Sequence, residues 1–236
     1  IISVVLLGII AVGFLFPFVW MVATSLKPTT EVFSLSPTGS RIAWDNYPSA
    51  LNSIPFGRVV LNSFIVSLAG AALVVVVSVL SAYAFARLRF KGRDHLFMLF
   101  LGTLVLPQEV LVIPLIRQFL MSLPLEFEEA ARIDGCSDWK ILTKILLPLL
   151  KAPITVVGVF AFIDYWSAFL WPLIVVNDSS LATIPLGLQM FSGERGTDWG
   201  PLMAAVTMTT IPSILLVVFL QKQLEKGVTL GAFGGR

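Results

Sequence analysis

The sequence predicts an all-α membrane protein, a bundle of helices that cross the bilayer several times. Hydrophobic residues make up 57% of the 236-residue chain and charged residues only 13%, and the mean hydropathy is +0.91. Apolar runs of about 20 residues, the length that a helix needs to cross a hydrocarbon core of about 30 Å, recur along the chain. Because no change in composition divides it, we expect one transmembrane domain over residues 1–236.

Five stretches have the composition of spanning helices. They are residues 1–26, 59–86, 96–106, 153–176 and 202–220. The first has no charge before Lys27 and is too long for the core of a signal peptide, so we interpret it as a span. The second is rich in small residues such as Gly70 and Ala71, which let helices approach closely in lipid. The third is only the beginning of a span, and Pro212 is expected to kink the last one.

Basic residues orient these spans. They gather in residues 87–93, 132–151 and 222–236, whereas Arg195 is the only basic residue among residues 177–200. The positive-inside rule therefore predicts that the three basic segments lie in the cytoplasm together with both chain ends, and that residues 177–200 lie outside. We expect a multi-pass protein of the cytoplasmic membrane.

The segment between the first two basic clusters is too short for this topology. If both clusters are cytoplasmic, residues 95–125 must cross the membrane an even number of times, and two crossings need about 40 residues plus a turn. Either this segment forms a shallow re-entrant hairpin, or a stretch of chain is absent near Leu115–Ile116. In the second case the intended number of spans is six, of which about five are readable.

The sequence offers no basis for nucleic-acid binding, metal binding or nucleotide hydrolysis. The net charge is only +2, and the chain contains one histidine and one cysteine, which form no metal-binding cluster. The phosphate-binding pattern G-x-x-x-x-G-K-[ST] is absent, and the lone Cys136 excludes an internal disulfide. We therefore expect no catalytic residue and no cofactor in this chain.

Residues 124–148 form a polar segment in this otherwise apolar chain, and we call it the docking block. Pro124 and the acidic residues after it suit the first turn of a helix, and Glu128 and Arg132 are spaced to pair on its surface. Gly135 can adopt the left-handed conformation that ends a helix. The pattern predicts a helix-turn-helix.

The second predicted helix of the docking block is amphipathic, and Ser137 is expected to cap it. Its apolar face comprises Trp139, Ile141, Leu142, Ile145 and Leu146, opposite Lys140, Lys144 and Lys151. Either a protein partner or an anionic membrane surface could meet such a helix, and its periodicity alone leaves both readings open.

The docking block matches a seven-position signature. Glu129, Ala130, Ala131, Gly135, Ile145, Leu147 and Pro148 have the order Glu-Ala-Ala, three residues, Gly, nine residues, Ile, one residue, Leu-Pro. On these positions the chain resembles the permeases of ATP-binding-cassette importers. The runs at 82–87, 131–135 and 169–172 and the tail at 227–232 resemble the carbohydrate branch, and there the shorter permease of maltose, glycerol-phosphate and multiple-sugar importers.

This resemblance implies a fold, a set of partners and a division of labour. It implies the helical bundle of MetI-like permeases, a second permease subunit, two ATPase subunits that bind ATP and Mg, and an extracytoplasmic solute-binding protein. The docking block would contact an ATPase through the seven signature positions and Asp134. The chain itself would be no enzyme but the subunit that lets a carbohydrate cross the membrane.

Two alternatives stay open. An importer permease for amino acids, peptides or oxyanions would share the signature, whereas a stand-alone secondary transporter would not need it and often shows an inverted repeat.

Two departures from the family also matter. Members have a few tens of residues between the elements that adjoin at Leu115–Ile116, and a Trp-Asn pair common in the family reads Trp166-Ser167 here.

Asp164, Tyr165 and Trp166 are the candidate residues of the substrate path. An ionisable group in a span costs a few kcal/mol if it faces lipid, so it favours a functional role. An acid beside aromatic rings suits the hydroxyl groups and ring faces of a sugar. A hydrogen bond between helices is the structural alternative.

We call residues 177–200, which are predicted to lie outside, the outer loop. Its candidate contacts for the solute-binding protein are Gly193, Gly196 and Trp199, because glycines beside a tryptophan suit a shaped contact loop. An ordinary solvated connection is the alternative. The glycine-rich tail, residues 227–236, either reaches the ATPase or frays.

Overall fold

The computed structural model describes residues 2–102, 112–193 and 196–233, and nearly all of its regular structure is helical. The helices are α1 (Ile2–Ser25), α2 (Asn46–Ser53), α3 (Phe56–Arg87), α4 (Arg93–Gly102), α5 (Val112–Ser122), α6 (Glu126–Ile133), α7 (Asp138–Ile141), α8 (Leu147–Leu149), α9 (Lys151–Ser167), α10 (Leu170–Val175), α11 (Ile184–Gln189) and α12 (Trp199–Phe233). A π-helical turn, Leu142–Leu146, joins α7 to α8, and the two-residue strands β1 (Ser192–Gly193) and β2 (Gly196–Thr197) pair antiparallel.

Three described helices are long and apolar enough to cross a membrane. They are Ser3–Ser25 in α1, Phe56–Arg87, and Trp199–Gln221 in α12. A fourth crossing is available if Asp138–Leu149 and Lys151–Ser167, which meet at 81°, are taken as one bent span. Helix α12 continues through Pro212. The helical membrane class predicted from composition therefore agrees with the described elements.

The fourth predicted stretch, residues 153–176, is not one continuous helix. Helix α9 ends at Ser167 and α10 begins again at Leu170. Proline provides the reason, because Pro172 has no N–H for the carbonyl of Ala168 and its ring crowds that carbonyl. The chain therefore breaks between the two helices, and the prediction of a single helix over this stretch was wrong.

The short segment around Leu115–Ile116 is a continuous helix. Helix α5 runs through this junction without a break, and its 11 residues extend only about 16 Å, too short to cross a bilayer. A re-entrant hairpin would need its turn within residues 103–111, which lie outside the described residues. The end of the third predicted span also falls there.

Two compact units can be distinguished in the chain, and the prediction of a single domain stays a prediction. One unit comprises Ile1–Ile65 and Trp166–Leu215, the other Val66–Tyr165 and Leu216–Arg236. In the second unit the docking block shares a core with the end of α3 and with α5. The buried residues of this core are Val79, Ala82, Tyr83, Ile116, Leu120, Ala131, Ile141, Leu142, Leu146, Leu150 and Val157.

Helices α3 and α9 approach each other at two glycines. A Cβ atom built on Gly70 would lie 2.7 Å from the ring of Tyr165, whereas one built on Gly158 would lie 3.5 Å from Val75, an ordinary contact. This close approach explains why α3 carries a small residue at position 70, since helices in lipid associate through packing rather than through burial of apolar area from water.

We expect Gly70→Ala to destabilise the protein, because the added methyl group has no space beside Tyr165. Overpacking of this kind costs about 1–3 kcal/mol, which would lower the melting temperature in detergent by several degrees. Gly158→Ala is the matched control and should melt like the wild type. Equal melting of the Gly70→Ala protein and the wild type would contradict the tight packing.

The first unit contains a polar network at the end of α1. The side-chain amide of Asn46 donates hydrogen bonds to the carbonyls of Ser25 and Lys27, at 2.8 and 2.9 Å. The fully buried ammonium of Lys27 donates to the carbonyl of Ser34 at 3.0 Å and lies 4.6 Å from the ring centre of Trp20. These contacts fix the segment between α1 and α2.

Candidate functional site

The first helix of the docking block ends in a Schellman motif. Gly135 has a φ of +75°, its N–H donates to the carbonyl of Arg132, and the N–H of Cys136 donates to the carbonyl of Ala131 at 2.9 Å. A residue with a Cβ atom would be strained at this φ. The glycine of the signature therefore shapes the turn as predicted, but α6 begins at Glu126 with Leu125 at the N-cap, so Pro124 precedes the helix instead of lying in its first turn.

The second helix of the docking block is less regular than predicted. Ser137 occupies the N-cap position of α7 but its side chain makes no capping hydrogen bond, and the backbone widens into the π-helical turn before α8. Pro148 lacks the N–H that would bond the carbonyl of Lys144, and this accounts for the loosened helix in front of it. Such turns often occur at functional sites.

The signature residues divide into an exposed and a buried set. Glu129, Ala130, Gly135 and Pro148 are exposed, as is the neighbouring Asp134, whereas Ala131 is buried and Ile145 and Leu147 are half-buried. The buried and half-buried members attach the block to the core of its unit. The exposed members, with Ile133 beside them at 86% exposure, form a surface that a partner could contact.

Trp139 corrects one expectation about the second helix. It was predicted to share one apolar face with Ile141, Leu142 and Leu146, but its side chain is 66% exposed whereas those three are buried. The π-helical turn uses more residues per turn than the 3.6 of an α-helix, so the spacing that aligned Trp139 with Leu146 does not hold.

Ion pairs in the docking block also differ from the prediction. Glu128 and Arg132 do not pair with each other. Glu128 pairs instead with Arg87 at the end of α3, with 2.6 Å between Oε1 and Nε, and Arg132 pairs with Asp138 across the turn at 2.5 Å. Sequence reasoning missed the first pair because its members are far apart in the chain.

The three candidate residues of the substrate path lie in different surroundings. Asp164 is exposed near the end of α9, whereas the ring of Tyr165 packs on Gly70. The buried indole of Trp166 donates a hydrogen bond to the carbonyl of Thr209 at 3.2 Å. The structure therefore places the two aromatic residues in helix packing and leaves Asp164 as the accessible member. The role of all three stays a prediction.

The candidate contacts for the solute-binding protein lie at a small hairpin. Gly193 and Gly196 end β1 and begin β2, and both are exposed, while residues 194–195 lie outside the described part. Trp199 is half-buried, and its ring lies 5.6 Å from that of Phe33 in an edge-to-face contact. Trp199 therefore packs against Phe33, whereas the two glycines are exposed.

The outer loop is fastened to α3 by two residues that sequence analysis did not select. The side-chain amide of Asn62 donates to the carbonyls of Ser180 and Ala182, at 3.0 and 3.1 Å, and the hydroxyl of Ser63 accepts from the N–H of Ile184 at 2.7 Å. Polar residues near a helix end in an apolar sequence were the available signal. Beside them, the N–H of Ser180 holds the pKa of Asp178 below its ordinary value.

The signature, its exposed surface and the apolar helices define a class of protein, the membrane-embedded subunit of a binding-protein-dependent importer. Residues 1–230 match the family model described as "Binding-protein-dependent transport system inner membrane component". The chain belongs to this family, which consists of transporter subunits of the inner membrane, not enzymes.

Relatives with assigned transport systems cover nearly all of the chain. It is 35% identical to the sn-glycerol-3-phosphate transport system permease protein UgpE of Pectobacterium atrosepticum, over 94% of this chain and 92% of that protein. It is 30% identical to the diacetylchitobiose uptake system permease protein DasC of Streptomyces coelicolor, over 96% and 94%. It is 31% identical to the sulfoquinovosyl glycerol transport system permease protein SmoH of Agrobacterium fabrum, over 97% and 92%.

These alignments contain more positions than this chain fills. The alignment with the Pectobacterium protein spans 264 residues, although 94% of this chain is only about 222 residues, so about 42 positions face no residue here. The same arithmetic gives about 33 positions for the Streptomyces protein and about 37 for the Agrobacterium protein. The relatives therefore carry a few tens of residues that have no counterpart here.

A solved structure shares the fold. The chain superposes with a TM-score of 0.83, at 21% identity, on a subunit in the crystal structure of a bacterial ABC transporter involved in the import of the acidic polysaccharide alginate, covering 94% of this chain and 95% of that one. The prediction of an all-α permease bundle is confirmed.

Proposed function

We propose that this chain is the permease subunit of an importer for a carbohydrate, that is a sugar, an oligosaccharide or a sugar or glycerol phosphate. One observation carries the proposal: three relatives that are 30–35% identical over nearly their full length are named for glycerol phosphate, diacetylchitobiose and sulfoquinovosyl glycerol. Each of the three solutes carries at least two free hydroxyl groups.

The energy source is ATP hydrolysis in separate subunits. We assign two ATPase subunits, a second permease and a solute-binding protein as partners, with both chain ends in the cytoplasm. The exposed part of the docking block supports the ATPase contact, because Glu129, Ala130, Asp134 and Gly135 lie together on the surface beside Ile133. Small residues there allow close approach, and Glu129 offers a charge to basic side chains or backbone N–H groups.

The outer loop is the proposed contact for the solute-binding protein. Its support is the anchoring of residues 180–184 by Asn62 and Ser63 and an open cleft of about 380 Å³ beside β1, lined by both polar and apolar residues. A fixed loop loses less conformational entropy on binding than a free one.

A stretch absent from this chain but present in relatives belongs near Leu115–Ile116 in this proposal. Residues 95–125 are too few for the two crossings that the basic clusters require, and the alignments with relatives contain a few tens of extra positions. Sequencing the gene across these codons decides whether the permease in the cell has a complete fourth span.

Reconstitution tests the function. The full gene product is assembled in proteoliposomes with its second permease and its ATPase, and labelled glycerol 3-phosphate, a disaccharide and an amino acid are offered with their binding proteins. We expect ATP-dependent uptake of one of the hydroxyl-rich solutes only. Uptake of the amino acid would overturn the substrate class, and uptake driven by an ion gradient without the ATPase would overturn the mechanism.

A further inference from the structure

Arg87, the last residue of α3, joins three elements of its unit. Its Nε lies 2.6 Å from Oε1 of Glu128 in α6. Its Nη2 donates to the carbonyls of Leu120 and Leu123 at the end of α5, at 2.7 and 3.0 Å. Carbonyls in the last turn of a helix have no partner within that helix, so one guanidinium closes the end of α5 while it pairs with the docking block.

The pair is buried, unlike the other ion pairs described in the structure. The side chains of Arg87 and Glu128 are 7% and 6% exposed, whereas those of Arg132 and Asp138 in the same block are 50% and 49% exposed. A buried ion pair is held strongly in register, because separating the charges leaves each of them without solvent or partner. An exposed pair separates at little cost.

Membrane orientation does not explain the burial of Arg87. The exposed Arg89 and Lys91 follow it directly and supply the positive charge that keeps this end of α3 in the cytoplasm. The contacts of Arg87, rather than membrane orientation, therefore account for its burial.

Glu128 and Glu129 are neighbours in α6, about 100° apart around the helix axis, and differ in exposure. Glu128 is buried against Arg87, while Glu129 of the signature is exposed. A force applied to the exposed side of α6 therefore acts directly on the ion pair on its buried side.

We infer that the Arg87–Glu128 pair is the connection through which a displacement of the docking block moves α3. The inference rests on the proposed function, since the displacement comes from the ATPase on the exposed side of the block. Arg87 and Glu128 act as positioning residues. They contact neither nucleotide nor solute, but keep α6, α5 and the end of α3 moving as one body.

Variants of the reconstituted transporter test this inference through the number of solute molecules imported per ATP hydrolysed. In Glu128→Gln the charge is lost and the shape is kept. We expect assembly and ATP hydrolysis within about twofold of the wild type, but import per ATP at least tenfold lower. Asp94→Asn, which breaks the exposed Arg93–Asp94 pair outside the docking block, is the control and should leave the ratio unchanged.

A double variant separates coupling from folding. Arg87→Met with Glu128→Leu removes both charges together, so that no lone charge stays buried. We expect the double variant to assemble and hydrolyse ATP like the wild type while import per ATP stays at least tenfold lower. Wild-type coupling in the double variant would show that the pair only fills space, and failure of both variants to assemble would show that it serves folding alone. Either result overturns the inference.

Failure of the proposed function gives a different result. If the wild-type transporter itself shows no ATP-dependent uptake, the importer assignment fails. If the wild type imports solute and Glu129→Lys uncouples it while Glu128→Gln does not, the docking site stands and only the connection through Arg87 is wrong.

Discussion

Replacing Glu129 by lysine is expected to lower uptake per ATP hydrolysed by at least tenfold while the permease still inserts into the membrane. Glu129 is exposed on α6, so the change disturbs no packing in the permease. In the proposed complex the carboxylate meets a basic side chain or backbone N–H groups of the ATPase. Loss of one partner of a charged contact at an interface costs about 2–5 kcal/mol, and about 1.4 kcal/mol already corresponds to a factor of ten.

Glu126→Lys is the matched control for this experiment. Glu126 is an exposed acid of the same first turn but does not belong to the signature, and both changes remove the same favourable interaction with the N-terminus of α6. ATP hydrolysis and solute uptake are measured together in proteoliposomes, and insertion is measured by the yield of assembled complex. Equal effects of the two substitutions, or unchanged coupling in Glu129→Lys, would remove Glu129 from the docking surface.

The local features of the docking block could be predicted from sequence because their causes are local. Only glycine adopts the φ of +75° found at position 135 without strain, so the end of α6 follows from a single residue. The acidic residues before it suit the start of a helix for an equally local reason, the partial positive charge of the unpaired N–H groups.

The contacts that attach the block to the rest of its unit could not be predicted in the same way. Glu128 has a basic residue four positions later, and that spacing favoured a surface pair with Arg132. The observed partner, Arg87, belongs to another helix, and only the tertiary packing brings it within reach. Arg87 was interpreted as one of several topology-setting charges, because composition does not distinguish a buried arginine from an exposed one.

Helix periodicity failed where proline changes the geometry. Trp139 was placed on the same apolar face as Leu146 on the assumption of 3.6 residues per turn between them. The π-helical turn before Pro148 breaks this spacing. The single helix predicted over residues 153–176 ignored Pro172, which separates α9 from α10. Both prolines were visible in the sequence, so closer attention to them would have improved both predictions.

The second large effect is expected at Asp164, where Asp164→Leu should lower solute uptake by at least tenfold without reducing the yield of assembled transporter. Asp164 is exposed near the end of α9. An ionisable group in a span is costly unless it is paired or faces a water-filled path, so its replacement by leucine should not hinder insertion. A hydrogen bond from a solute hydroxyl to a charged group contributes about 1.5–3 kcal/mol, which corresponds to a factor of about ten to a hundred.

Phe160→Leu provides the matched control, because Phe160 lies one turn before Asp164 on the same face of α9 and is 62% exposed. It should leave uptake unchanged, since it replaces one apolar side chain by another. Uptake is measured at several solute concentrations together with the yield of assembled complex. If Asp164→Leu lowers the yield, Asp164 joins helices rather than binding solute. If uptake stays normal, Asp164 does not line the path, and a sugar must be recognised by other groups of the transporter.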